Sequence, residues 1–109
     1  MSKGPEAKVK DKLSRWLKIT YPKAWIYKAP GGRFGRKGVP DILACIFGKF
    51  IAIEVKADET KEVTPIQMHE LQLITGADGI VCILHGINDI KLKKLKQIID
   101  NGVSVQETI

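Results

Sequence analysis

Asp41 ends the tetrapeptide Gly38-Val39-Pro40-Asp41, and after a short apolar segment come Glu54-Val55-Lys56. An acid at one strand start, then an acid and a lysine two apart on the next, are the parts of a metal-dependent phosphodiester-cleaving site. Attack on a phosphodiester must stabilise extra charge on phosphate oxygens and make a water nucleophilic, and a carboxylate-held divalent metal does both. Mg²⁺, or Mn²⁺ in its place, takes oxygen ligands and needs only one or two carboxylates, which Asp41 and Glu54 supply. Side chains alternate along a strand, so Glu54 and Lys56 leave on one face and Val55 on the other. Lys56 therefore stands beside the metal site, placed to position the attacking water or to donate to the phosphate as charge develops. The Val55 carbonyl is a further candidate ligand.

The elements around these residues must bring them together. Ile42 to Phe47 and Phe50 to Lys56 are runs rich in β-formers, and Gly48-Lys49 between them predicts a hairpin turn. Counting outward from that turn, Phe47 faces Phe50 and Asp41 faces Lys56, leaving Asp41 one diagonal step from Glu54.

Pro40-Asp41 with Glu54-Val55-Lys56 resembles the PD-(D/E)xK nuclease signature. The wider string resembles its VRR-NUC branch through Glu6 in an N-terminal helix, Tyr27-Lys28 followed by Pro30-Gly31, Gly38-Val39-Pro40-Asp41, Glu54-Val55-Lys56 and Thr64-Pro65-Ile66-Gln67. These occur in the family's order and extend from Glu6 to about Ile83. The resemblance implies a restriction-endonuclease-like core and a metal-dependent nuclease acting on structured DNA. It places Asp41, Glu54, Lys56 and Gln67 in the site, with Glu6 as an accessory acid. Small standalone members resemble four-way-junction resolvases and work as homodimers.

The chain has 109 residues, enough for one small domain over 1–109. No apolar run is long enough to span a membrane, and Met1-Ser2-Lys3-Gly4-Pro5 lacks the apolar core of a signal peptide, so a cytoplasmic protein is expected. Its small size would suit a phage-encoded enzyme acting in a bacterial host. Cys45 and Cys82 lie in apolar strand-like runs without zinc-ligand spacing, which predicts buried, reduced thiols. The net charge of +6 is unevenly spread. Residues 1 to 56 hold thirteen Lys/Arg against four Asp/Glu, and residues 57 to 109 hold five against eight. Positive charge thus accompanies the motif, and DNA is the expected partner. Solubilising lysines on solvated faces are the plainer alternative.

Pro5 and the spacing of Val9, Leu13, Trp16 and Leu17 predict an amphipathic helix to about Ile19. Glu6 falls on its inward stripe, where an acid either reaches a cation or complements the helix dipole. Ala24 to Lys28 reads as a strand with Trp25 and Tyr27 on one face. The loop to Gly38 is glycine-rich and basic, so Lys28, Arg33, Arg36 and Lys37 are candidates to hold a nucleic-acid backbone. Phe34 there either stacks on a base or folds back onto the core. No base-reading helix is evident, and the glycines lack the Gly-Lys-Ser/Thr ending of a P-loop. Thr64, Pro65 and Gln67 have capping-box grammar for a helix ending at Gly76. Capping explains Gln67 as well as a site role does, in which its amide meets the attacking water or the lysine.

Ile80 to Leu84 predicts an interior strand, and Leu92, Leu95 and Ile99 mark a last helix from Asn88 or Asp89 to Gly102. Its lysines suit a solvated face, and Val103 to Ile109 suits an edge strand, a dimer contact or a frayed tail. His69 and His85 have no partner at ligand spacing. The order of elements predicts an α/β sandwich, a mixed central β-sheet flanked by α-helices. The leading expectation is a Mg²⁺- or Mn²⁺-dependent endodeoxyribonuclease selective for branched DNA such as the four-way (Holliday) junction. Alternatives are a general nicking or flap nuclease with the same site, or a non-catalytic basic DNA-binding protein.

Overall fold

The structure is a computed structural model that describes residues 4–30 and 35–109. Eight elements follow in the order α1 (Pro5–Thr20), β1 (Trp25–Lys28), β2 (Ile42–Ile46), β3 (Lys49–Lys56), α2 (Pro65–Gly76), β4 (Ile80–His85), α3 (Asp89–Asn101) and β5 (Val105–Thr108). The strands form one sheet in the order β1-β2-β3-β4-β5. Pairing is antiparallel from β1 to β3 and parallel from β3 to β5, so the sheet is mixed as expected. Parallel neighbours need crossover connections, and α2 and α3 provide them.

Alternation along the strands sorts the core into two layers. Ile42, Ala44, Ile46, Ile51, Ile53, Val55, Ile80, Cys82 and Leu84 pack against Val9, Leu13 and Leu17 of α1 and Leu95 and Ile99 of α3. Ala52, Val81 and Ile83 leave on the opposite face and meet Leu71 of α2, with Met68 and Ile74 beside it. Cys82 is buried, but Cys45 is exposed, contrary to the expectation for both thiols. Cys45 sits on the α2 face, level with Trp25 and Phe50, where the helix does not reach. Trp25 and Tyr27 share that open face and stack, with ring centroids 6.0 Å apart. The C-terminal segment is an edge strand, β5, held parallel to β4. Among the described residues no helix is long and apolar enough to cross a membrane.

The hairpin register differs from expectation. Ile46 pairs with Lys49 and Ile42 with Ile53, so the turn is Phe47-Gly48 rather than Gly48-Lys49. Both turn residues have positive φ, 51° and 79°, which a two-residue type I′ hairpin requires and which glycine-rich pairs usually supply. Phe47 takes the first position despite its Cβ. The shift amounts to one whole pair, so every side chain keeps its face, and continuing the register sets Asp41 level with Glu54.

Candidate active site

Pro40 precedes β2 and cannot donate to a ladder, so the next backbone pair of the β2–β3 hairpin is not formed. The Asp41 side chain takes its place, and Oδ2 accepts from the Val55 N–H at 2.7 Å. A strand residue points its N–H and C=O to the same side, so the Val55 carbonyl faces β2 and the Asp41 carboxylate. The Asp41 carbonyl in turn accepts from the Ala29 N–H at 2.8 Å, tying the end of β1 to the site.

Glu6 on α1, Asp41 before β2 and Glu54 on β3 bring one carboxylate oxygen each within 4.8 Å of one another. Glu54 is 1% exposed, and its Oε2 has no hydrogen-bond partner among the described residues. The group beside it, Asp41, is another acceptor. Burial, then the neighbouring Asp41, push the Glu54 carboxyl up to about 9, with Lys56 opposing and Glu6 adding to the shift. A buried unsatisfied oxygen facing two further carboxylates is a cradle that a hard divalent cation would fill, and the all-oxygen donor set fits Mg²⁺ or Mn²⁺.

Lys56 is 7% exposed and leaves β3 on the same side as Glu54, as alternation requires. Its Nζ donates to the Gln67 amide oxygen at 3.0 Å. The same oxygen accepts from the Thr64 N–H at 2.9 Å, while the Gln67 N–H donates to Thr64 Oγ1, so the capping box is complete. Gln67 therefore caps α2 and meets Lys56 through the same amide oxygen. One amide oxygen starts α2 and orients Lys56.

The acids open onto a cleft of about 410 Å³ whose walls include Lys10, Arg36, Lys37, Gly38, Asp41, Glu54 and Gln67. Lys37 is exposed on its rim. Arg36 is also at the rim, but its Nε is 2.5 Å from Glu70 Oε1 on α2. Lys28 lies away from this cleft, paired with Asp11 of α1 at 2.7 Å. Arg33 and Phe34 lie outside the described residues. A larger apolar depression of about 660 Å³ between Tyr21, Trp25, Ile46 and Phe47 holds none of the acids.

Two site residues escaped the sequence reading. Lys10 lies one helical turn after Glu6, and its Nζ is 3.7 Å from Asp41 Oδ1. The i, i+4 relation to Glu6 was the available signal. Glu70, on α2 one turn after Ile66, left no signal because its partner is remote in sequence. Glu70 would compete with any phosphate for Arg36. Glu70→Gln is expected to tighten DNA binding and to steepen its salt dependence by about one phosphate contact, measured as binding against salt concentration.

Gly38 locks the basic loop onto α2. Its φ is +80°, and a Cβ there would stand 2.6 Å from the Ile66 carbonyl oxygen. Gly38→Ala must push the first turn of α2 away, carrying Gln67 off Lys56. The expected result is at least a tenfold loss of cleavage, about 1.4 kcal/mol in barrier, with a lowered melting temperature.

A solved structure described as a VRR_NUC domain is similar to this chain, with a TM-score of 0.65 at 22% sequence identity, covering 90% of this chain and 97% of that one. No protein-family model and no curated protein matches the sequence. The structural likeness shows that the chain has the fold of that domain.

Proposed function

We propose that this chain is a VRR-NUC nuclease of the PD-(D/E)xK type, a Mg²⁺- or Mn²⁺-dependent endodeoxyribonuclease. The observation that carries the reading is the convergence of Glu6, Asp41 and Glu54 within 4.8 Å, two residues along β3 from a lysine that is 7% exposed and bonded to Gln67. The fold shared with a VRR_NUC domain supports it independently. A purely binding protein has no use for three acids gathered inside a basic cleft, where they oppose a polyanion.

In the mechanism, Asp41, Glu54 and the Val55 carbonyl would hold the metal, with Glu6 as an outer acid, and the ion would supply Lewis-acid polarisation of the phosphate and a more acidic water. Lys56, fixed by Gln67, orients the attacking water as the P–O bond to the leaving group breaks, and it offsets charge on the phosphate oxygens. Arg36 and Lys37 at the rim take adjacent backbone phosphates, with Lys28, farther off, and Arg33, outside the described residues, as further candidates from the sequence. These contacts recognise charge and shape rather than base edges. Branched DNA is the preferred substrate, the four-way junction first. Paired incision of two strands requires two copies, since one chain supplies one site.

The deciding assay compares wild type with Asp41→Ala on labelled four-way junction, flap, single-stranded and linear duplex DNA, with Mg²⁺, Mn²⁺ or EDTA. Metal-dependent cutting of the junction, lost in the variant, is the expected result. Equal rates on junction and linear duplex point to a general nicking nuclease. Absence of cutting on every substrate with metal-independent binding intact overturns the enzymatic reading.

A further inference from the structure

Lys10 stands among the acids without belonging to the set that a nuclease site requires. Its Nζ donates to the Ala29 carbonyl oxygen and lies 3.7 Å from Asp41 Oδ1, and the side chain is only 15% exposed. The separation from Asp41 is too long for a direct hydrogen bond, so the ammonium is anchored by the backbone rather than by the acid. Ala29 is itself tied to the Asp41 backbone through its N–H at 2.8 Å. That anchor does not depend on whether the acids are protonated or metal-bound, so Lys10 keeps its place when a cation arrives.

Asp41 commits Oδ2 to the Val55 N–H at 2.7 Å. Oδ1 is the oxygen left for a cation, and Lys10 shares its surroundings. Paired catalytic ions sit roughly 3.5–4 Å apart and clamp both the attacking and the leaving oxygen. In this cluster Asp41 can join two ions only if the second takes the space of the Lys10 ammonium. We propose that Lys10 is a built-in cation that positions Asp41 and restricts the cluster to one divalent ion per chain. With Lys56 it gives two fixed positive charges against three carboxylates, so a single divalent ion already leaves the site attractive to phosphate.

The proposal rests on the metal-dependent reading above, and counting bound metal without DNA separates the two. Mn²⁺ is titrated into the full chain at pH 8 and the unbound ion measured by electron paramagnetic resonance, with folding checked by circular dichroism. Wild type and Lys10→Arg are expected to bind one ion, and Lys10→Met two. If Lys10→Met does not fold, Lys10→Gln, whose amide can still donate to the Ala29 carbonyl, is counted in its place. Two ions on wild type, or one on the neutral variant, overturn the role of Lys10 alone. No ion on folded wild type overturns the metal site itself and this inference with it.

Discussion

Lys56→Ala is expected to lower single-turnover DNA cleavage roughly 10²–10³-fold, the usual cost of losing one preorganised donor. Affinity for uncleaved DNA, measured in Ca²⁺ or EDTA, should change little. The asymmetry follows from position. Lys56 is 7% exposed and bonded to Gln67, so it cannot serve phosphates at the rim, where Arg36 and Lys37 stand. Lys56→Arg should not restore the rate, because a planar fork does not fit where one ammonium meets one amide oxygen. Cleavage by Lys56→Ala at the wild-type rate would remove the site as assigned.

Glu54→Gln is expected to abolish metal-dependent cleavage and yet to stabilise the metal-free protein at pH 8. The folded-state carboxyl is raised from 4.5 to about 9 by burial and by Asp41, so between those values the folded chain keeps a proton that the unfolded chain has released. Stability from this group is fully present below 4.5 and falls as pH rises towards 9. Glutamine mimics the protonated acid, and its amide can donate to Asp41. Removing the cost of taking up a proton on folding, or of burying the ionised acid, is worth at least about 1–3 kcal/mol at pH 8, which for a chain this size raises the melting temperature by roughly 5 °C or more. In EDTA the variant should therefore melt above wild type at pH 8, the difference closing towards pH 4.5. Adding Mn²⁺ should raise the wild type and leave the variant unmoved. A variant less stable than wild type in EDTA at pH 8 would contradict the burial of an uncompensated acid at this position.

Much of this arrangement was legible in local grammar. Thr64-Pro65-Ile66-Gln67 specifies a helix start through groups that bond each other, so α2 could be placed within a residue, and Gly102 marked the end of α3. Glu54 and Lys56 share a face because strand alternation is geometric. The hairpin register was missed because glycine at 48 can serve either position of a two-residue turn, and an aromatic at φ 51° is a poor prior choice. Cys45 was misjudged for a different reason. Apolar character along β2 reports that a strand is covered on one face, but which part of the second face α2 covers is decided by tertiary packing. Glu70 was invisible for the same reason, since its partner Arg36 comes from another element, and Lys10 offered only its spacing from Glu6.

The Phe47-Gly48 turn also sets how freely the chain can vary. Six residues separate it from Asp41, so it lies roughly 20 Å from the acids at about 3.3 Å per residue. It nonetheless fixes their alignment, because the ladder from Ile46–Lys49 to Ile42–Ile53 transmits register rigidly. A one-residue insertion between β2 and β3 would turn Glu54 and Lys56 to the α1 face and put Val55 in their place. The described residues of the connection from Ala29 to Asp41 carry no such ladder, so its length and charge can change while the acids stay level. On the proposed function, evolution or an engineer can retune the substrate by editing the basic loop, but the hairpin that aligns the acids must keep its length.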